Sequence, residues 1–211
     1  MCNRYPQSTP STISLRWKLA NSIQTMDSRD SHGIFNVISL GILNILTGVH
    51  LFQNTEGEDL VNYESLVLLY FVTDTLWIFV KPCCVRTPSS IVFHHLVSIA
   101  GIVCVPMTTP NLRPFLVQLM TISISTWLLA VRQLSKRRVF MLDITFLSSW
   151  IAIRLIYYPF CLLQFAVRIG ESSGTQVIVF ILVCLTILNV IWSLDIAKNY
   201  IRGDFQHEID F

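Results

Sequence analysis

Two adjacent histidines, His94 and His95, lie inside one apolar run of the chain; Asp74 lies inside the run before it, and Arg154 inside a later one. Imidazole titrates near neutral pH, so a histidine poised by a carboxylate can act as a general base or accept an acyl group. Metal chemistry suits the spacing poorly. Neighbouring helical residues point about 100° apart, whereas a metal site wants ligands three or four residues apart, or a further ligand such as cysteine. No metal and no resident cofactor is expected. The chain has no Gly-x-x-x-x-Gly-Lys phosphate loop, no Gly-x-Ser-x-Gly elbow and no dinucleotide fingerprint.

The elements that must position these groups are membrane-crossing helices. Of 211 residues, 53% are hydrophobic and 13% charged, against roughly 25% charged in a soluble domain. The charges are bunched between long apolar stretches, as repeated crossing requires when each helix satisfies its own backbone. At roughly 17–25 residues per crossing, six spans are predicted: Gly33–Gln53, Leu60–Val80, Ser90–Met107, Pro114–Val131, Val139–Phe165 and Val177–Ala197. The expected fold is all-α, a polytopic membrane bundle of about six transmembrane helices around a central cavity, with Pro159 bending the long fifth span. Residues 1–31 read as a flexible cytosolic arm, in which Ile13–Ile23 could form a short interfacial helix. Residues 32–203 read as the transmembrane domain and 204–211 as a short tail.

Orientation follows from the basic residues. With six spans, the termini and the second and fourth loops share one face, which carries Arg4, Arg16, Lys18, Arg29, Lys81, Arg86, Arg132, Lys136, Arg137, Arg138, Lys198 and Arg202. The opposite face has Arg113 and Arg168 alone. Both termini are therefore expected in the cytosol. A net charge of +2, scattered along the chain, points away from nucleic acid. Cys104, Cys161 and Cys184 fall within spans and read as small apolar residues; Cys83 and Cys84 sit at a cytosolic span end, where palmitoylation is chemically reasonable.

An ionisable side chain at the centre of a span costs about 2.5–3.5 kcal/mol by insertion scales, so each one is informative. Glu64 and Asp195 lie near span ends and are expected to be hydrated. Asp74 and His94 lie roughly 9 Å and 6 Å deep from the basic face, at about 1.5 Å per residue. Ser125 and Thr126 of the fourth span and Asn189 and Trp192 of the sixth reach similar depths, with Arg154 deeper still. Polar groups from several helices are thus predicted to converge in the cytosolic half of the bundle. One histidine would face the shared space while its neighbour bonds another helix. The plainer alternative is that Asp74, His94 and Arg154 satisfy one another as interhelical glue.

In this order and spacing the residues resemble the TLC-domain family, which includes the ceramide synthases and non-synthase proteins of lipid homeostasis. The likeness runs from about Asn36 to Gly203. It rests on Tyr70-Phe71 followed by Asp74, His94-His95-Leu96 followed by Ser98, Ser125-Thr126, Phe146 followed by Arg154, and Leu188-Asn189 followed by Trp192. The resemblance implies six helices around a lipid-sized cavity open to the cytosol, usually in the endoplasmic reticulum, and adds Tyr70 and Ser98 to the expected lining. It also implies that His94 and His95 match part of the acyl-transfer site of ceramide synthases, where a sphingoid base is acylated from acyl-CoA. The span after the histidines departs from the synthases: Pro114–Val131 contains no Asp, Glu or His. It departs from many non-synthases too, reading Ser123-Ile124-Ser125-Thr126-Trp127-Leu128 where they have Glu-Leu-Ser-Thr-Pro-Phe.

The expected function is accordingly the binding, sensing or trafficking of a membrane lipid, affecting membrane composition, by a divergent non-synthase member that need not be an enzyme. The alternative is an acyl-CoA-dependent N-acyltransferase using His94, His95 and Asp74, with acyl-CoA as co-substrate. A small transporter is a third class, for which no inverted repeat or broken helix pair is visible.

Overall fold

The computed structural model describes residues 12–53, 58–108, 113–135, 139–167 and 173–201. Among them the chain is helical, with no strand. The α-helices are α1 (Thr12–Gln53), α2 (Glu58–Val80), α3 (Pro88–Thr108), α4 (Arg113–Met120), α5 (Ile122–Leu134), α6 (Phe140–Trp150), α7 (Tyr158–Ala166) and α8 (Ser173–Ile201). Among the described residues six stretches are long and apolar enough to cross a membrane: Ser28–Gln53, Asp59–Val80, Pro88–Val105, Phe115–Leu134, Phe140–Ala166 and Gly174–Lys198. The chain is a polytopic all-α membrane protein, and each predicted span has its counterpart. α1 crosses residue 31 without a break, so residues 13–23 belong to the same helix as the first span. Residues 1–11 and the expected tail at 204–211 lie outside the described residues.

Helical periodicity sorts each span into two faces. On α1, Ile34, Ile38, Ile42 and Ile45 are exposed while His32, Leu40, Leu43 and Thr47 are buried. An outward apolar stripe suits hydrocarbon, and the inward stripe packs on neighbours. Between helices in lipid the hydrophobic effect gives little, so close packing and hydrogen bonds must hold them together. α1 lies against α5, α2 against α3, and α3 against α8. Gly41 permits the first of these approaches: a Cβ there would sit 3.3 Å from the Trp127 indole nitrogen. The same N–H donates to the Val37 carbonyl at 3.0 Å, and Thr47 and Tyr63 join their hydroxyls at 2.6 Å between α1 and α2.

Two spans are irregular. In the fourth, α4 and α5 meet at Thr121, whose hydroxyl donates to the Gln118 carbonyl at 2.8 Å; the Ser123 hydroxyl donates to the Met120 carbonyl at 2.6 Å. These side chains compete with backbone N–H groups for the same carbonyls, and backbone bonds three residues apart replace the usual four, from Thr121 to Gln118 and from Ile124 to Thr121. In the fifth span a π-helical stretch, Ile151–Tyr157, separates α6 from α7, with the Tyr158 N–H bonded five residues back to Ile153. Pro159 follows it. Proline offers no N–H and its ring excludes the carbonyl four residues earlier, which suits a wide turn at this point. Arg154 sits inside that turn and is buried.

Candidate functional site

Between the helices lies a cavity of about 610 Å³, within the roughly 300–1,000 Å³ typical of small-molecule sites. Exposed Arg29 and Gln133, together with Asp30, Cys84, Val85 and Leu134, line it at the face shared by the start of the first span, the α2–α3 connection and the end of α5. Leu40, Phe71, Met120 and Ile122 line it further in. The mouth is therefore at the basic face.

One wall is built around Asp74, which is 3% exposed. Its Oδ1 lies 2.7 Å from His32 Nε2 and its Oδ2 lies 3.5 Å from His95 Nε2. The other nitrogen of His95 bonds Thr75 Oγ1 at 3.1 Å. Asn36 reaches His32 through its amide nitrogen at 3.3 Å and accepts the Tyr70 hydroxyl at 3.0 Å. One carboxylate thus gathers α1, α2 and α3. His95 turns to α2, while His94 stacks edge-on to Trp192 at 5.3 Å between centroids. The Nδ1 of His94 is buried and has no hydrogen-bond partner among the described residues.

The other wall is built around Arg154, also 3% exposed. Its Nε donates to Ser125 Oγ at 2.9 Å, its Nη1 to Asn189 Oδ1 at 2.9 Å and its Nη2 to Thr126 Oγ1 at 2.7 Å. The guanidinium carbon stands 4.1 Å from the Trp150 ring and 5.6 Å from that of Trp192, both within cation–π range. Each indole is fixed in turn, Trp150 by Ser193 and Trp192 by Ser90, both at 2.9 Å. The Cα–Cβ bond of a helical residue tilts toward the helix N-terminus. In the fifth span that direction leads back toward the basic face, which is how a deep arginine meets Thr126, about two turns before the end of α5.

Several expectations are corrected by this geometry. Asp74, His94 and Arg154 do not pair with one another: the carboxylate goes to His32 and His95, the guanidinium to neutral acceptors. Tyr70, Asp74, His94, His95, Thr126, Arg154 and Trp192 line the cavity. Ser98 instead lines a smaller apolar pocket of about 60 Å³ beside it. Ser125 and Asn189, at 0% and 1% exposure, border neither space and stand behind Arg154 as its acceptors. Glu64, expected to be hydrated, is buried against that smaller pocket, whereas Asp195 is half-exposed beside Lys198 at 3.6 Å. His32 was not foreseen, because it stands where the polar arm gives way to the first apolar run. Its spacing of four from Asn36 was the available signal, since such a pair shares one helix face.

Outside the spans, Cys84 forms part of the rim on a short 3₁₀ turn, Pro82–Cys84. Burial, and to a lesser degree the negative charge of Asp74, push its thiol up to about 11. Compared with known families, residues 24–198 match the family model described as the TLC domain. No curated protein and no solved structure matches the chain.

Proposed function

The chain belongs to the TLC-domain family, and from that premise we propose that it is a lipid-homeostasis protein that holds a membrane lipid in its interhelical cavity and so adjusts membrane composition. The observation that carries this reading is the cavity's composition: inside the rim, Arg154, Asp74 and three histidines line about 610 Å³ between membrane-spanning helices. Polar groups at that depth are costly unless they serve one another or a ligand. An apolar inner lining beside them suits an amphiphile. The excess of basic residues on the rim side supports cytosolic termini, and the family resemblance favours the endoplasmic reticulum.

The test is to purify the protein in mild detergent and identify bound lipid by mass spectrometry, alongside the lipidome of cells lacking it. A defined lipid class that co-purifies, and shifts on deletion, is the expected result. An empty protein and an unchanged lipidome would overturn it.

A second reading, N-acyl transfer from acyl-CoA to a sphingoid base, draws on the Asp74–His95 contact and the cavity-facing His94. The absence of any Asp, Glu or His from α4 and α5 weighs against it. Microsomes containing the chain would need to form N-acyl product that disappears in His94→Ala and His95→Ala.

A further inference from the structure

We infer that Arg154 is the receptor for an anionic headgroup, so that the amphiphile held in the cavity ends in a carboxylate or a phosphate. The inference rests on the lipid-holding reading above and sharpens it to a ligand class.

The buried charges of the bundle are met in different ways. Asp74 has partners that carry positive charge when protonated, His32 at 2.7 Å and His95 at 3.5 Å. Arg132, nearer the surface, is paired with Asp143. Arg154 is the more deeply buried of the two arginines, yet its hydrogen bonds go to two hydroxyls and an amide oxygen, all neutral. No carboxylate pairs with it among the described residues. A guanidinium carries five N–H groups and cannot lose its charge under ordinary conditions. Three are used in these bonds, which leaves one on each terminal nitrogen of a side chain that lines the cavity.

The two indoles offer the cation their ring faces but cannot neutralise it, and a cation in a medium of low dielectric strongly favours a counter-anion. The remaining open direction is the cavity. Guanidinium N–H groups form their strongest bonds with carboxylate and phosphate oxygens. His94 adjoins Arg154 through Trp192, whose ring lies 5.3 Å from the imidazole and 5.6 Å from the guanidinium carbon; its partnerless Nδ1 can supply a further donor as the neutral tautomer. The anion would pass the rim at Arg29 and leave its chain against Leu40, Phe71, Met120 and Ile122. A neutral or cationic headgroup would meet no such complement.

The experiment compares four probes of equal chain length on the full-length protein in uncharged detergent: a fatty acid, a lysophosphatidic acid, a monoacylglycerol and a long-chain amine. Retention of either anion at least tenfold above monoacylglycerol is expected in the wild type, with the better-retained anion identifying the headgroup. In Arg154→Gln that ratio should fall to near one while monoacylglycerol binding persists. Equal retention of charged and neutral probes by the wild type would overturn the anion assignment and leave the lipid-holding reading intact. So would a preference that survives in Arg154→Gln. Failure of the wild type to retain any probe would overturn the lipid-holding reading itself. Should Arg154→Gln fail to fold, the wild-type ratio alone decides.

Discussion

Asp74 and Arg154 show how much of a buried charge's role depends on its neighbours. Both were recognisable in the sequence because each interrupts a long apolar run, and both do line the cavity. Their partners were not recognisable, since pairing depends on which helix faces which, and hydropathy carries no such information. His32 was hidden by its position at the edge of a run, and Ser125 and Asn189 look like lining residues in sequence but serve as acceptors behind Arg154. The cysteine pair on the rim is separated in the same way: Cys84 is buried and Cys83 only partly so. The reactive form of cysteine is the thiolate. With its thiol pushed from 9.0 up to about 11, Cys84 holds roughly 100-fold less thiolate at pH 8, a factor of ten per unit. In Cys83→Ser protein, alkylation of Cys84 by iodoacetamide is therefore expected to be slow at pH 8 and to accelerate about tenfold per pH unit toward 11. Labelling at pH 8 as fast as in denatured protein would refute this. If either cysteine carries a lipid, Cys83 is the candidate.

At the scale of the helix, length and hydropathy sufficed to place all six spans, because a crossing segment must be long and apolar whatever its fold. The irregular turns were less visible. Pro159 signalled the fifth span's disturbance but not its π form, and the joint at Thr121 has no proline, only hydroxyls that compete for carbonyls. The close approach of α1 to α5 depends on Gly41, where any side chain meets Trp127. Gly41→Val is expected to destabilise the detergent-solubilised protein by about 1–3 kcal/mol, the usual range for overpacking. Gly48→Ala, where a Cβ meets nothing within 4 Å, should leave the melting temperature unchanged or higher. Thermal unfolding followed by size-exclusion chromatography checks both, and equal behaviour of the two variants would show that the α1–α5 contact is not tight.

For the molecule as a whole, the crowding of basic residues on one face suggested the orientation, and the cavity's rim lies on that side. A glycosylation acceptor inserted between Glu56 and Gly57 is expected to be modified in microsomes, while one inserted after Arg86 is not; the reverse pattern would invert the protein in the membrane. The acceptors around Arg154 also bear on biogenesis. Translation delivers Ser125 and Thr126 before the arginine and Asn189 after it, so two of its three acceptors are already in place when the fifth span leaves the ribosome. A nascent chain halted before α8 must park that span with the Nη1 bond unmade. The arginine's set of acceptors is thus completed only by α8, and a truncation there removes a ligand of the arginine as well as a wall.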